Sequence, residues 1–247
     1  MRRRPALIER TIGLFVLAVI CCSGCDANRD GIRLFVAASL ADVAQDWQQD
    51  YSADGNQLDF HSGGSSTLVQ QIAAGAQADI MLSAGPTAVS RLQADGKVAR
   101  IDSAFLTNRI VIVCRSGMEA PHNVVGLLNP RYERIAVADP AAAPAGEYAR
   151  AGLIDSGLWS TLADRLIYTA DVRATLTAVA TGATDIGFVY ATDARSEPGL
   201  TAMDPGFPAA HYTLVMIAPE TPLKVACWDY LHSKGALQLA AARGFQQ

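Results

Sequence analysis

The sequence predicts an α/β protein built as two lobes joined by a hinge. Three observations predict it. Short apolar runs alternate with amphipathic stretches, the pattern of strands separated by helices in a parallel sheet. The alternation occurs twice, on either side of the β-branched run Arg109–Cys114. A further apolar strand, Tyr212–Ile217, comes late, as if the chain returns to its first lobe. With 247 residues, half of them hydrophobic, the chain can bury a sizeable core in one or two domains.

The elements follow in order. Ile32–Ala37 reads as a short strand, and the helix after Ser39 carries Leu40, Val43, Ala44, Trp47 and Tyr51 on one face. Gln57–His61 is a second strand. A helix bearing Leu68, Ile72 and Ala73 then ends near Gly75, a suitable residue just past a helix terminus. Ile80–Leu82 is a third strand, and Pro86 suits the first turn of the helix that runs to about Ala94. Beyond Arg109–Cys114, strands are expected at Ile135–Ala138, Leu166–Thr169 and Ile186–Tyr190. One helix starts around Pro144-Ala145-Gly146, and Asp171 caps another that bears Val172, Leu176 and Val179. Helices at Thr221–His232 and Lys234 to about Arg243 close the chain. No internal repeat or low-complexity stretch interrupts this order.

The N-terminus stands apart. Arg2, Arg3, Arg4 and Arg10 give a basic start, and Thr11–Cys22 is an apolar run of about a dozen residues, too short to span a bilayer. Ser23-Gly24 places two small residues before Cys25. Residues 1–24 are therefore expected to be a secretory signal whose small-small-Cys ending resembles a bacterial lipobox, with Cys25 the lipidated residue and 25–31 a polar tether; an uncleaved anchor or a plain signal peptide cut nearby stays open. The first lobe is expected at 32–112 and 217–247, and the second at 113–216. Loss of residues 1–24, which hold four Arg and one Glu, takes the net charge from −4 to −7. That balance argues against nucleic acid as a partner. Cys114 and Cys227 are the cysteines beyond Cys25, too few for a disulfide framework, and whether they meet is left open. His61, His122, His211 and His232 are scattered and suggest no metal site.

The most informative run is Ser62-Gly63-Gly64-Ser65-Ser66-Thr67, between a strand and a helix. Its glycines let the backbone come close, and its hydroxyls and helix-start N–H groups can hold an anion without a positive side chain. An ordinary helix cap is the plainer alternative. Other strand-to-helix junctions lie at Ala37-Ala38-Ser39-Leu40, Pro144-Ala145-Gly146-Glu147-Tyr148 and Ala170-Asp171-Val172-Arg173. Gly187-Phe188-Val189-Tyr190 leaves a strand. Ligands of open α/β sheets bind at such junctions. The sequence has no Gly-x-Ser-x-Gly elbow and no phosphate-binding Gly-Lys-Ser/Thr loop, and His61 lies on the strand before the loop rather than beside Ser65. An α/β hydrolase using Ser65 is therefore the disfavoured alternative, and no enzymatic activity is expected.

At these junctions the chain resembles the periplasmic molybdate-binding proteins of ABC importers. The resemblance covers nearly everything after residue 31. It rests on Phe35-Val36-Ala37-Ala38-Ser39-Leu40, Ser65-Ser66-Thr67-Leu68, Ala78-Asp79-Ile80, Ala138-Asp139-Pro140, Pro144-Ala145-Gly146, Asp171-Val172-Arg173 and Val189-Tyr190, in that order and spacing. It implies a two-lobed periplasmic-binding-protein fold of type II-like form, a molybdate or tungstate oxyanion as ligand, and no cofactor. It also implies an ABC permease with its ATPase as partners, a location outside the cytoplasmic membrane, where the lipid expected on Cys25 would anchor it, and a monomer. The implied ligands are Ser39 and Ser65 from the first lobe, and Ala145, Val172 and Tyr190 from the second, with Ser66 and Thr67 as second choices. Ser39 and Asp171 as plain helix caps, and Tyr190 as a core tyrosine, remain open alternatives. So do sulfate, thiosulfate and phosphate as cargo. Gly63-Gly64 departs from the Ala or Ser that relatives often carry, and is expected to loosen the loop without removing a ligand.

Overall fold

The structure, a computed structural model, describes residues 31–247; the expected signal peptide, Cys25 and the tether up to residue 30 lie outside the described residues. In chain order the first run is β1 (Gly31–Ala37), α1 (Ala41–Ala53), β2 (Gln57–Gly63), α2 (Ser65–Ala73), β3 (Ile80–Ser83), α3 (Pro86–Ala94) and β4 (Val98–Asn108). The second is β5 (Ile110–Cys114), β6 (Ile135–Ala138), α4 (Pro144–Asp155), α5 (Trp159–Leu162), β7 (Leu166–Thr169), α6 (Val172–Ala180), β8 (Ile186–Tyr190), α7 (Ala191–Arg195) and β9 (Thr201–Met203). β10 (Ala210–Ile217), α8 (Pro222–Leu231) and α9 (Lys234–Arg243) follow. A 3-10 turn at Ala38–Leu40 joins β1 to α1.

These strands form two five-stranded sheets, ordered β2-β1-β3-β10-β4 and β7-β6-β8-β5-β9. In each, the strands that alternate with helices run parallel, β1 with β2 and β3, and β6 with β7 and β8. The strands that link the lobes run antiparallel, β10 with β3 and β4, and β5 with β8 and β9. Two lobes with one sheet each is the predicted fold.

The chain crosses between sheets twice. β4 ends at Asn108 in the first sheet and β5 begins at Ile110 in the second, and the chain returns between Met203 and Ala210. The expected lobe boundaries at 112/113 and 216/217 are therefore displaced. Ile110–Ile112 pair with Phe188–Tyr190 of the second sheet, and Ala210–Met216 pair with β3 and β4 of the first. An unbroken apolar run such as Ile110–Cys114 carries no mark of which sheet it joins. Gly31, assigned to the tether, is the first residue of β1.

Side-chain alternation on the first sheet explains its two covered faces. Leu34, Val36, Leu82 and Leu214 point to the core that holds Trp47, Leu231 and Ala236. Phe35, Met81 and Val215 point the other way, to Leu68, Ile72, Val89 and Leu92 of α2 and α3. The chain's last helix is tied to its first. The Trp47 indole Nε1–H donates to the Ala236 carbonyl at 2.9 Å, and Arg243 pairs with Asp46 at 2.6 Å. Trp47 is fully buried. Cys114 and Cys227 are both free and buried, so they do not meet.

Replacing Trp47 removes a large buried ring and the indole N–H that reaches the Ala236 carbonyl. Trp47→Ala is expected to lower unfolding stability by about 3–5 kcal/mol, read as a shift of the urea midpoint. A cost under about 1 kcal/mol would mean that α9 does not depend on this contact.

Candidate functional site

Parallel strands put the junctions that follow them at one end of a sheet. The two lobes bring those ends together around a small cleft, between the C-terminal ends of β1 and β2 and the starts of α4 and α6. All five expected ligand residues line it: Ser39, Ser65, Ala145, Val172 and Tyr190. Ser66 and Thr67 do not. Ionisable groups at the lining are Asp171 and Tyr190, and no lysine, arginine or histidine is among the lining residues.

The helix starts at this cleft are bare. The first N–H groups of a helix have no partner within it and are usually met by a capping side chain. Gly64 precedes α2, Ala143 precedes α4 and Ala37 precedes the Ala38–Leu40 turn, and none makes a side-chain cap. At α6 the cap exists, but the Asp171 carboxylate accepts from the N–H groups of Arg173 and Ala174, at 2.9 and 3.0 Å, and not from Val172. Ser39 and Asp171 thus separate: Asp171 caps, Ser39 does not. Asp139 shapes its loop by accepting from the Ala141 N–H at 2.9 Å.

Three hydroxyls stand at the cleft. Ser65 Oγ accepts from the Ala84 N–H at 3.2 Å, which leaves its own proton for the cleft. Ser39 Oγ lies 2.9 Å from Tyr212 Oη. The Tyr190 side chain is 1% exposed, and its hydroxyl has no hydrogen-bond partner in the protein. Burial first, then the neighbouring Tyr212 and Tyr148 phenols, push its pKa well above the ordinary tyrosine value, so it keeps its proton.

The lobes touch around this cleft. Arg173 of α6 reaches Asp42 of α1 at 2.6 Å, and its Nε lies 2.9 Å from Asp193 of α7. The guanidinium is therefore spent on two carboxylates and gives the cleft no free positive charge. The His211 N–H of β10 donates to the Tyr148 hydroxyl of α4 at 3.1 Å. A Cβ at Gly64 would stand 2.7 Å from the Ala142 carbonyl oxygen and 3.4 Å from that of Ala170. Gly64 lies at φ −60°, which any residue adopts, so the expectation that glycine here loosens the loop gives way to close approach between lobes. At Gly146 a Cβ would collide with the Ala138 carbonyl, so this glycine lets the first turn of α4 sit against the end of β6.

Sequence reasoning missed Asn108, Asp193 and Tyr212. Asn108 Nδ2 donates to Thr192 Oγ1 at 2.8 Å and to Tyr212 Oη at 3.4 Å. Asp193 is completely buried two residues into α7, where a first-turn carboxylate ordinarily reads as solvated. Among the described residues no group of three or more His, Cys, Asp or Glu could hold a metal ion, and no helix is long and apolar enough to cross a membrane.

The sequence pattern of bacterial extracellular solute-binding proteins matches residues 32–246. The chain is 30% identical over 245 residues to YvgL of Bacillus subtilis, which carries the name of an ABC transporter substrate-binding lipoprotein; the match covers 92% of this chain and 94% of YvgL. It is 31% identical over 236 residues to the molybdate-binding protein ModA of Escherichia coli, covering 89% and 90%. Its fold matches the periplasmic molybdate-binding protein of Azotobacter vinelandii with a TM-score of 0.79 at 19% identity, over 87% of this chain and 99% of that one.

Asp193 makes stability depend on pH. Burial raises its pKa to about 7, against the smaller opposing pull of Arg173. A carboxyl group raised in this way stabilises the fold below its unfolded value, near 4, and loses that contribution as pH climbs to about 7. The thermal midpoint is expected to fall as pH rises through this window, and Asp193→Asn is expected to flatten that slope. An equal slope in both proteins would place the titration elsewhere.

Proposed function

The chain belongs to the bacterial extracellular solute-binding proteins, and on that premise we propose that its cleft captures molybdate or tungstate outside the cytoplasmic membrane and delivers it to an ABC permease driven by its ATPase. The observation that carries this reading is the Tyr190 hydroxyl, buried and unpartnered at a cleft lined by bare helix starts. An unmet buried donor costs about 1–3 kcal/mol, and an acceptor-only guest relieves it. Ser39 and Ser65 would bind through hydroxyl and N–H, Ala145 and Val172 through N–H, and Tyr190 through its phenol. The two lobes supply complementary halves of the donor set, so a bound anion favours the closed form.

Donor chemistry supports the cargo. A set of donors suits a fully deprotonated tetrahedral dianion. Monohydrogen phosphate brings an O–H that needs an acceptor, and the lining carboxylate, Asp171, already uses its Oδ1 to accept from two amides. Sulfate has no such proton and is told apart by its smaller size. Tungstate nearly equals molybdate in size and is expected to bind with it. No covalent step is required of Ser65. The Ser23-Gly24-Cys25 ending supports lipid attachment at Cys25 and anchoring at the membrane surface, and a relative named as a lipoprotein fits that reading.

Thermal unfolding of the protein from residue 26 onward tests the cargo. Molybdate or tungstate at a thousandfold excess over Kd is expected to add about 4 kcal/mol, with little effect from sulfate or phosphate. In Tyr190→Phe, molybdate affinity is expected to drop about tenfold or more. A phosphate or sulfate response in place of molybdate would change the cargo, and no response to any of the four would overturn the oxyanion site.

Gly64→Ala tests closure separately, because its methyl group meets the other lobe's backbone and no ligand group. It is expected to weaken molybdate binding while leaving the unliganded thermal midpoint within a few degrees. Unchanged affinity would mean that the Ala142 loop yields.

A further inference from the structure

Resting on the oxyanion reading above, we propose that Tyr212 is a positioning residue. Oriented by Asn108, it fixes the Ser39 hydroxyl as a donor toward the anion and so biases the first lobe's half of the cleft against protonated oxyanions.

The Asn108 side chain is oriented without ambiguity, because its Oδ1 accepts from the Arg109 N–H at 2.9 Å. Its Nδ2 therefore carries the hydrogens, one aimed at Thr192 Oγ1 at 2.8 Å and one at Tyr212 Oη at 3.4 Å. A phenol has a single proton. With one lone pair of Tyr212 facing an N–H, that proton is directed to Ser39 Oγ at 2.9 Å. Ser39 Oγ then accepts, and its own proton is left for the cleft. Asn108, Tyr212 and Ser39 are all buried, so no solvent competes for these partners. Ser65 reaches the same state by a different route, with the Ala84 N–H donating to its oxygen.

Without this chain the Ser39 hydroxyl could turn either way. It could donate to an oxyanion or accept from the O–H of a protonated one, and the cleft would lose part of its preference. The chain begins on Asn108, the last residue of β4 before the crossing, and its other arm holds Thr192 of the second lobe. The relay is thus anchored across the hinge, and the polarity of Ser39 is set together with the arrangement of the lobes.

The test is a double-mutant cycle on molybdate affinity by titration calorimetry, using the wild type, Tyr212→Phe, Ser39→Ala and the pair together. Tyr212→Phe is expected to weaken molybdate about tenfold in the wild type and to change it little in the Ser39→Ala background. Its molybdate-to-phosphate affinity ratio is expected to fall, because phosphate carries at least one proton throughout the working pH range. Losses that simply add, or an unchanged ratio, would overturn the relay and leave a structural tyrosine. Should Tyr212→Phe fold poorly, Asn108→Asp replaces it. That carboxylate takes the Tyr212 proton and reverses the chain, so its molybdate loss is expected to shrink when Ser39 is absent, and an equal loss in both backgrounds would overturn the proposal. A wild type that binds sulfate and not molybdate fails the cargo reading alone, and the same cycle then runs on sulfate. A wild type that binds no oxyanion overturns both.

Discussion

The structure turns on helix starts left without caps at a shared point. A bare helix N-terminus carries about half a positive charge and several unmet N–H groups. Three such starts, with the Val172 end of α6 beside them, converge where the two sheets face each other. Water can satisfy them when the lobes are apart, but a closed cleft excludes it. The closed arrangement therefore asks for a guest made of acceptors. Sequence details at the rim serve that demand: alanine and glycine stand where a serine or aspartate cap would have met the N–H groups from within.

The lack of a positive side chain among the lining residues has a physical reason. A free arginine there would attract anions of any kind and hold them strongly in a dry site. Arg173 is near enough to matter, yet Asp42 and Asp193 occupy it from opposite lobes. The pair with Asp42 is partly exposed and contributes little stability on its own, so it orients more than it fastens. Recognition is left to dipoles and hydroxyls whose directions are fixed, which favours shape and protonation state over net charge.

Much of this was legible in the residues. Strand and helix order followed from apolar spacing, and the five expected ligand residues meet in one cleft because parallel strands deliver their junctions to one end. What escaped notice had weak local signals. β4 carries Arg100, Asp102 and Ser103 at a sheet edge, so its apolar content is too thin to announce an eleven-residue strand. α5, α7 and β9 are shorter than a pattern needs. The sheet that Ile110–Ile112 join depends on a partner almost eighty residues away. Asn108 and Tyr212 are ordinary strand residues by type, and their link to Ser39 exists only once β4, β10 and the Ala38–Leu40 turn are side by side.

The twofold crossing has an implication for how the protein matures. The second lobe is one continuous stretch of chain, whereas the first needs β10 inserted between β3 and β4 and α9 docked on α1. As the chain emerges from its N-terminus, the lobe that appears first cannot be finished first. Its partial sheet waits, with the edges of β3 and β4 unpaired, until the last forty residues have been exported. An incomplete β3 edge is an aggregation hazard, so this interval is when a holding chaperone or an early interruption of synthesis would matter most.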